Sequence, residues 1–255
     1  MANRIPISEA DFLSQYNIHD YDVPLTSVDM AIFAVIEQKL HVLLIQRNEY
    51  PSQGKWALPG GFIDLKHDQT ISDTAHRKLF EKTGIRSPHL EQVQTIGQAK
   101  RDPRGWSVTV LYFALIDYLA IHANKHKQLT ELTQWVPLEE AHAITLAFDH
   151  HQLLSLAVER LRSKTRYTAL PVSLMPELFT LTELQTIFEV ILGHALDKKA
   201  FRRRVLDSGI LQATELSKRS GKRDAQLYRV LNVPDDFEFP RALGVVICPP
   251  FQRTV

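Results

Sequence analysis

Residues 60–64 read Gly60-Gly61-Phe62-Ile63-Asp64, and residues 77–85 read Arg77-Lys78-Leu79-Phe80-Glu81-Lys82-Thr83-Gly84-Ile85. The glycine pair follows Trp56-Ala57-Leu58-Pro59, so residues 56–62 form a turn-rich segment. Residues 70–83 read as a helix. Ile71, Thr74, Ala75, Leu79 and Lys82 fall near one stripe, and Gly84 is a fitting stop because glycine accepts the left-handed backbone that ends helices. A loop, a helix and a second loop therefore stand in series.

Outward from this unit the chain turns strand-like. Residues 28–36 are rich in apolar and β-branched side chains. Glu37-Gln38-Lys39 makes a polar turn, and residues 40–45 answer as the second arm of a hairpin. Further strands are expected at 90–97, 107–116 and 134–138. Residues 151–162 carry a helical apolar set, Leu153, Leu154, Leu156, Ala157, Val158 and Leu161, and this helix bridges to a second domain. Strands mixed with helices in this order predict an α/β (α+β) sandwich of layers.

Past Pro171 the texture changes. A helix is expected over 181–192, with Thr180 or Thr182 as its cap and Gly193 as its stop. Asp197 caps a second helix over 198–207, closed by Gly209. Residues 210–214 and 225–230 pair as a hairpin around a turn at Ser220-Gly221. Helix, turn, basic helix and hairpin make the winged helix-turn-helix pattern. Phe201 and Val205, with Leu206 beside them, face a core, while Lys198, Lys199, Arg202, Arg203 and Arg204 spread over the remaining surface. Lys218, Arg219, Lys222 and Arg223 stand at the wing tip. From residue 160 to 229 there are 14 Lys/Arg against 7 Asp/Glu, so the net charge of +1 hides a strongly basic C-terminal half. A basic helix plus a basic wing predicts double-stranded DNA as partner. No exposed aromatic stacking surface favours RNA.

The expected organisation is an N-terminal segment (1–21), a sandwich domain (22–149), a linker helix (150–168), a winged helix-turn-helix domain (169–231) and a tail (232–255). The tail holds four prolines and reads as extended or loosely packed. The chain has 255 residues, 44% hydrophobic and 23% charged, which suits one large or two modest soluble domains. The single cysteine, Cys248, excludes an internal disulfide and fits a reducing, cytoplasmic setting. No apolar leader opens the chain, and no stretch approaches the roughly 18 apolar residues of a membrane span.

The segment from Gly60 to Ile85 resembles the Nudix box, and the resemblance covers roughly residues 26–145. In that family a glutamate upstream and three glutamates at i, i+3 and i+4 of one helical face hold magnesium against a substrate diphosphate. Here those three positions are Lys78, Glu81 and Lys82, and the upstream glutamate falls on His67 or Gln69. Asp64, Asp68 and Asp73 sit off the metal face. Lysine offers only donors where magnesium requires anionic oxygens. The resemblance therefore implies a domain with no catalytic residues, no metal and no required cofactor. A nucleotide pocket remains plausible: Arg47 faces the motif in the family fold, Arg101-Asp102-Pro103-Arg104-Gly105-Trp106 supplies arginine forks and an aromatic, and Trp56 is a second aromatic candidate. Lys78, Glu81 and Lys82 would line that pocket, the lysines neutralising the diphosphate. An active Nudix pyrophosphatase is the alternative, and it requires carboxylates such as Glu37, Glu49 or Glu81.

The arrangement as a whole resembles the NrtR group, the Nudix-related transcriptional regulators of NAD metabolism. The resemblance rests on residues 60–85, 101–106, 179–185, 196–204 and 221–228. It implies a homodimeric repressor of NAD synthesis or salvage genes, released from a palindromic operator by ADP-ribose. From its position between pocket and DNA-binding domain, helix 151–164 is the expected moving part.

Overall fold

A computed structural model describes residues 8–84, 89–118, 132–220, 223–231 and 237–239. Strand β1 (Leu25–Ile36) is central because residues 28–34 are buried throughout and all but Asp29 are apolar. It pairs antiparallel with β2 (Lys39–Gln46), matching Phe33 to Val42, and antiparallel with β4 (Gly60–Phe62), matching Val28 to Gly61. On its other side it runs parallel to β6 (Ser107–Leu115), matching Val28 to Val110. The sheet order is β3 (Trp56–Ala57), β2, β1, β6, β5 (Leu90–Gln98), with β7 (Thr133–Pro137) also on β2. The hairpin loop is only Glu37-Gln38, both at positive φ (47° and 60°), so Lys39 belongs to the strand rather than the turn.

A short helix, α1 (Glu9–Gln15), precedes the sheet and buries nothing. Helix α2 (Ile71–Thr83) covers one face of the sheet, where Ala75 and Leu79 meet Met30, Ile32, Leu43 and Tyr112. Thr70 and Asp73 form a reciprocal capping box, and Gly84 closes the helix at φ 72°. Its buried side is Thr74, Ala75, Leu79 and Thr83. Ile71, expected on the stripe, is 39% exposed because the seam lies toward Thr83. After the short α3 (Leu138–Ala143), helix α4 (His150–Tyr167) covers the opposite face, packing Leu153, Leu154, Ala157 and Leu161 on Phe33, Leu44 and Phe113. Sheet between helices is the layered sandwich the pattern predicts.

The winged helix comes next. Strand β8 (Phe179–Thr180) leads into α5 (Leu181–Leu192), then come α6 (Lys198–Asp207), β9 (Leu211–Ser220) and β10 (Arg223–Val230). Thr180 is the cap of α5, in a capping box with Glu183. Phe188 and Phe201 pack ring to ring at 5.2 Å, and Val205 is fully buried beside them. Leu206 points outward, 45% exposed, because Val205 occupies the core-facing position of that turn. The tail is not wholly loose. Phe239 is buried in this core, and its N–H donates to the Tyr167 carbonyl at 2.7 Å. The two parts share a boundary core: Ile191 of α5 is buried with the sheet cluster, and Arg162 of α4 donates to its carbonyl at 3.2 Å. Among the described residues no helix is long and apolar enough to cross a membrane.

Phe201→Ala removes an aromatic from the centre of the small domain. It is expected to cost about 3–5 kcal/mol, seen as a lower urea midpoint for the winged helix; an unchanged midpoint would contradict its place in the core.

Candidate ligand and nucleic-acid sites

A cavity of about 200 Å³ opens where β1, β4, the segment after β2, the β5–β6 loop and the start of α4 meet. Arg47, Glu49, Gly61, Phe62, Arg104 and Phe148 form part of its wall, with Asp29, Arg101 and His150 deeper. The Arg47 guanidinium lies 4.8 Å from the Phe148 ring, and its Nε donates to the Pro51 carbonyl at 2.9 Å. The Arg104 guanidinium lies 5.0 Å from the Phe62 ring and 6.0 Å from Phe148. Two N–H groups of Arg104 grip Asp102, at 3.0 Å and 2.7 Å. Burial, and then the nearby Arg104 charge, lowers the Arg47 pKa. Asp102, Glu49 and Asp29 offset part of the arginine charge around the cavity. Gly60 is required here, because a Cβ would stand 2.3 Å from Asp29 Oδ1 and 2.5 Å from the Val28 carbonyl.

Arg101 does not present a free fork to this cavity, as the sequence suggested. It is buried, and Asp149 takes it with both oxygens: Nε to Oδ2 at 2.9 Å and Nη2 to Oδ1 at 3.0 Å. Asp29 Oδ2 meets the same Nη2 at 3.3 Å. Burial opposes its charge, but the Asp149 hydrogen bonds and the Asp29 charge outweigh that and raise its pKa. The neighbouring His150 has its pKa lowered by burial, and its Nδ1 accepts the Leu58 N–H at 2.9 Å, so it serves as a neutral acceptor. Phe148, just before Asp149, is held at φ 53°, a conformation that costs a non-glycine residue free energy.

The motif helix turns its charges on itself. Arg77 donates to Asp68 at 2.8 Å and 2.5 Å and to Glu81 at 3.0 Å. These arginine hydrogen bonds hold the Asp68 carboxyl well below its ordinary range. Lys78 donates to Glu81 at 2.8 Å, and its stem covers Gly61 so closely that a Cβ there would lie 2.6 Å from Lys78 Cε. Lys78, Glu81 and Lys82 do not line the cavity, contrary to expectation. Neither aromatic candidate lines it. Trp56 packs against the sheet core, and Trp106, 51% exposed, rests on Gly97. The aromatic walls are instead Phe62 and Phe148, which no local pattern in the sequence marks. Among the described residues no three His, Cys, Asp or Glu side chains gather as a metal-holding group; Glu37 stands in the hairpin turn, Glu49 in the segment after β2 and Glu81 in α2.

On the winged helix, Lys198, Lys199 and Arg203 are exposed on α6. Arg202 is half-buried and donates to Thr182 Oγ1 at 3.3 Å. Arg204 turns inward instead of toward solvent: it donates to the Arg166 carbonyl at 2.9 Å and lies 4.2 Å from the Phe239 ring. Burial lowers its pKa to about 10. It joins α6 to α4 and is not part of the exposed basic face. Lys218 is exposed and pairs with Glu183 at 2.7 Å, and Arg219 is exposed beside it. Lys222 and the side chain of Arg223 lie outside the described residues.

Two family models match the chain: a NUDIX domain over residues 26–157 and an NrtR DNA-binding winged helix domain over 171–230. The chain is similar to the ADPR responsive transcriptional repressor NtrR of Acinetobacter baylyi, 61% identical over 236 residues, covering 92% of this chain and 94% of that protein. It is similar to the crystal structure of Shewanella oneidensis NrtR complexed with a 27mer DNA. The identity is 41%, the coverage 86% of this chain and 99% of that one, and the TM-score 0.77. The NUDIX domain of the same Shewanella protein, complexed with ADP ribose, matches at 41% identity over 61% of this chain and 99% of that one, with a TM-score of 0.55.

Helix α4 is also held by acid-sensitive ion pairs. Glu91 of β5 meets Arg160 at 2.6 Å and also Lys164. Burial would raise its pKa, but hydrogen bonds from His89, Lys164 and Arg160 hold it at about 2, below its ordinary 4.5. A depressed carboxylate stabilises the fold above its unfolded pKa and loses that contribution as pH falls through the folded one. Glu91→Gln is therefore expected to lower Tm at pH 7, with the gap to wild type closing between about pH 4.5 and pH 2. A gap independent of pH would contradict the ion-pair account.

Proposed function

The chain belongs to the NrtR family, and on that premise we propose that it is a transcriptional repressor that leaves its operator when ADP-ribose occupies the cavity. The observation that carries this reading is the pair Arg47 and Arg104 set about Phe148 in one wall. Guanidinium groups match the bidentate geometry of a diphosphate, and the rings of Phe62 and Phe148 offer apolar faces to the rest of a nucleotide. The names of the relatives support the same ligand and the same partner.

Hydrolysis is not part of the proposal. The motif helix presents Lys78, Glu81 and Lys82 where the family places three carboxylates, and Lys78 already satisfies Glu81. Binding of the effector then needs no metal or other cofactor. On the DNA side, Lys198, Lys199, Arg202 and Arg203 approach the groove and its phosphates, and Lys218, Arg219, Lys222 and Arg223 contact the backbone at the wing. We assign residues 22–149 to ligand sensing, 150–168 to linkage and 169–231 to DNA. A homodimer on a palindromic operator, acting in the cytoplasm on genes of NAD synthesis or salvage, completes the reading.

Fluorescence anisotropy with DNA from upstream of NAD-metabolism genes tests it. The protein is expected to bind specifically, with affinity falling as ADP-ribose is added. Arg203→Ala should weaken binding to all sequences and reduce the salt slope by about 1. Arg47→Ala should weaken ADP-ribose binding about 10- to 100-fold, the scale of a lost charged hydrogen bond. Turnover of ADP-ribose with magnesium at about one per second, an ordinary enzyme rate, would overturn the reading.

A further inference from the structure

We propose that the cavity signals through the Arg101–Asp149 clasp: an anionic ligand between Arg47 and Arg104 opens it, freeing the start of α4, which carries the change to both helices of the DNA-binding domain. This rests on the ligand reading above and adds its transmission. The clasp holds one cation against two carboxylates, Asp29 and Asp149, in a buried place where charges are poorly screened. A diphosphate adds negative charge beside a group already carrying an excess of it.

Of the two carboxylates, Asp149 is the one placed to yield. Asp29 sits in β1, hydrogen-bonded to strands on both sides. Asp149 sits at the first turn of a helix, next to Phe148 at φ 53°, whose ring lies against Arg47 and Arg104. A ligand that draws the two arginines together pulls on the residue adjoining Asp149. The first turn of α4 hangs on the same residue, because the N–H groups of Gln152 and Leu153 donate to the Asp149 carbonyl at 2.9 Å and 3.1 Å. At the other end α4 is tied twice to the winged helix: Arg162 donates to the Ile191 carbonyl of α5, and Arg204 of α6 donates to the Arg166 carbonyl. A ligand shifts an equilibrium only through its different affinity for two states. Here the open clasp is the state that accepts more negative charge.

Asp149→Asn keeps the shape of the side chain and removes its charge. The test measures operator affinity with and without ADP-ribose for wild type and variant, together with ADP-ribose binding by calorimetry. The variant is expected to bind ADP-ribose still, while its change in operator affinity falls below a third of the wild-type fold-change. A larger response, or loss of ADP-ribose binding by the variant, overturns the proposal. Should the variant fail to fold, hydrogen exchange on wild type decides. ADP-ribose is expected to speed exchange at the amides of Gln152 and Leu153 at least tenfold while leaving Val110 and Leu111 unchanged. Unchanged or slowed exchange at those helix amides overturns it. The two failures are distinguishable: wild type that does not respond to ADP-ribose defeats the functional reading and the clasp together, whereas a responsive wild type with an equally responsive variant defeats the clasp alone.

Discussion

Burying a guanidinium within a fold is costly, and carboxylates that meet it offset that cost. Arg101 is such a group, and Asp29 and Asp149 both reach it. The pairing fixes three pieces of chain that have no sequence proximity: the central strand, the β5–β6 loop and the first turn of α4. The walls of the cavity depend on that junction. Phe148 and His150 enter the cavity because they flank Asp149, and Arg104 reaches it because it follows Arg101 by three residues. Removing Arg101 would leave two buried carboxylates without their cation, so the junction depends on that one guanidinium.

The motif helix is held in the fold by its own charges. Arg77 binds Asp68 and Glu81, and Lys78 binds Glu81 while its stem covers Gly61. These contacts pack the helix against the glycine turn that shapes the cavity. The charges that face the cavity come instead from the hairpin end and the β5–β6 loop. The motif helix thus supports the wall of the cavity at Gly61.

Local signals made the helices legible. Thr70 with Asp73 and Gly84, Thr180 with Glu183 and Gly193, and Asp197 are capping residues whose meaning does not depend on the rest of the chain. The two-residue β8 was not legible, because its only support is the pairing of Phe179 and Thr180 with β10. Nor was α3, six residues long and begun straight after Pro137. At the site, arginines could be picked out by type but not by partner. Arg101 and Arg104 stand three residues apart, yet only the fold reveals that Asp149 consumes the first. Arg204 reads as one of three equivalent arginines until Phe239, 35 positions later, is found stacked on it. Aromatic walls at Phe62 and Phe148 leave no local trace at all.

The central claim is that one linked equilibrium joins the cavity to the DNA-binding face, and linkage is reciprocal. The most direct measurement titrates ADP-ribose into the protein alone and into the protein saturated with operator DNA. ADP-ribose is expected to bind the operator complex more weakly, by the same factor by which ADP-ribose weakens operator binding. Equal ADP-ribose affinity with and without operator would contradict it.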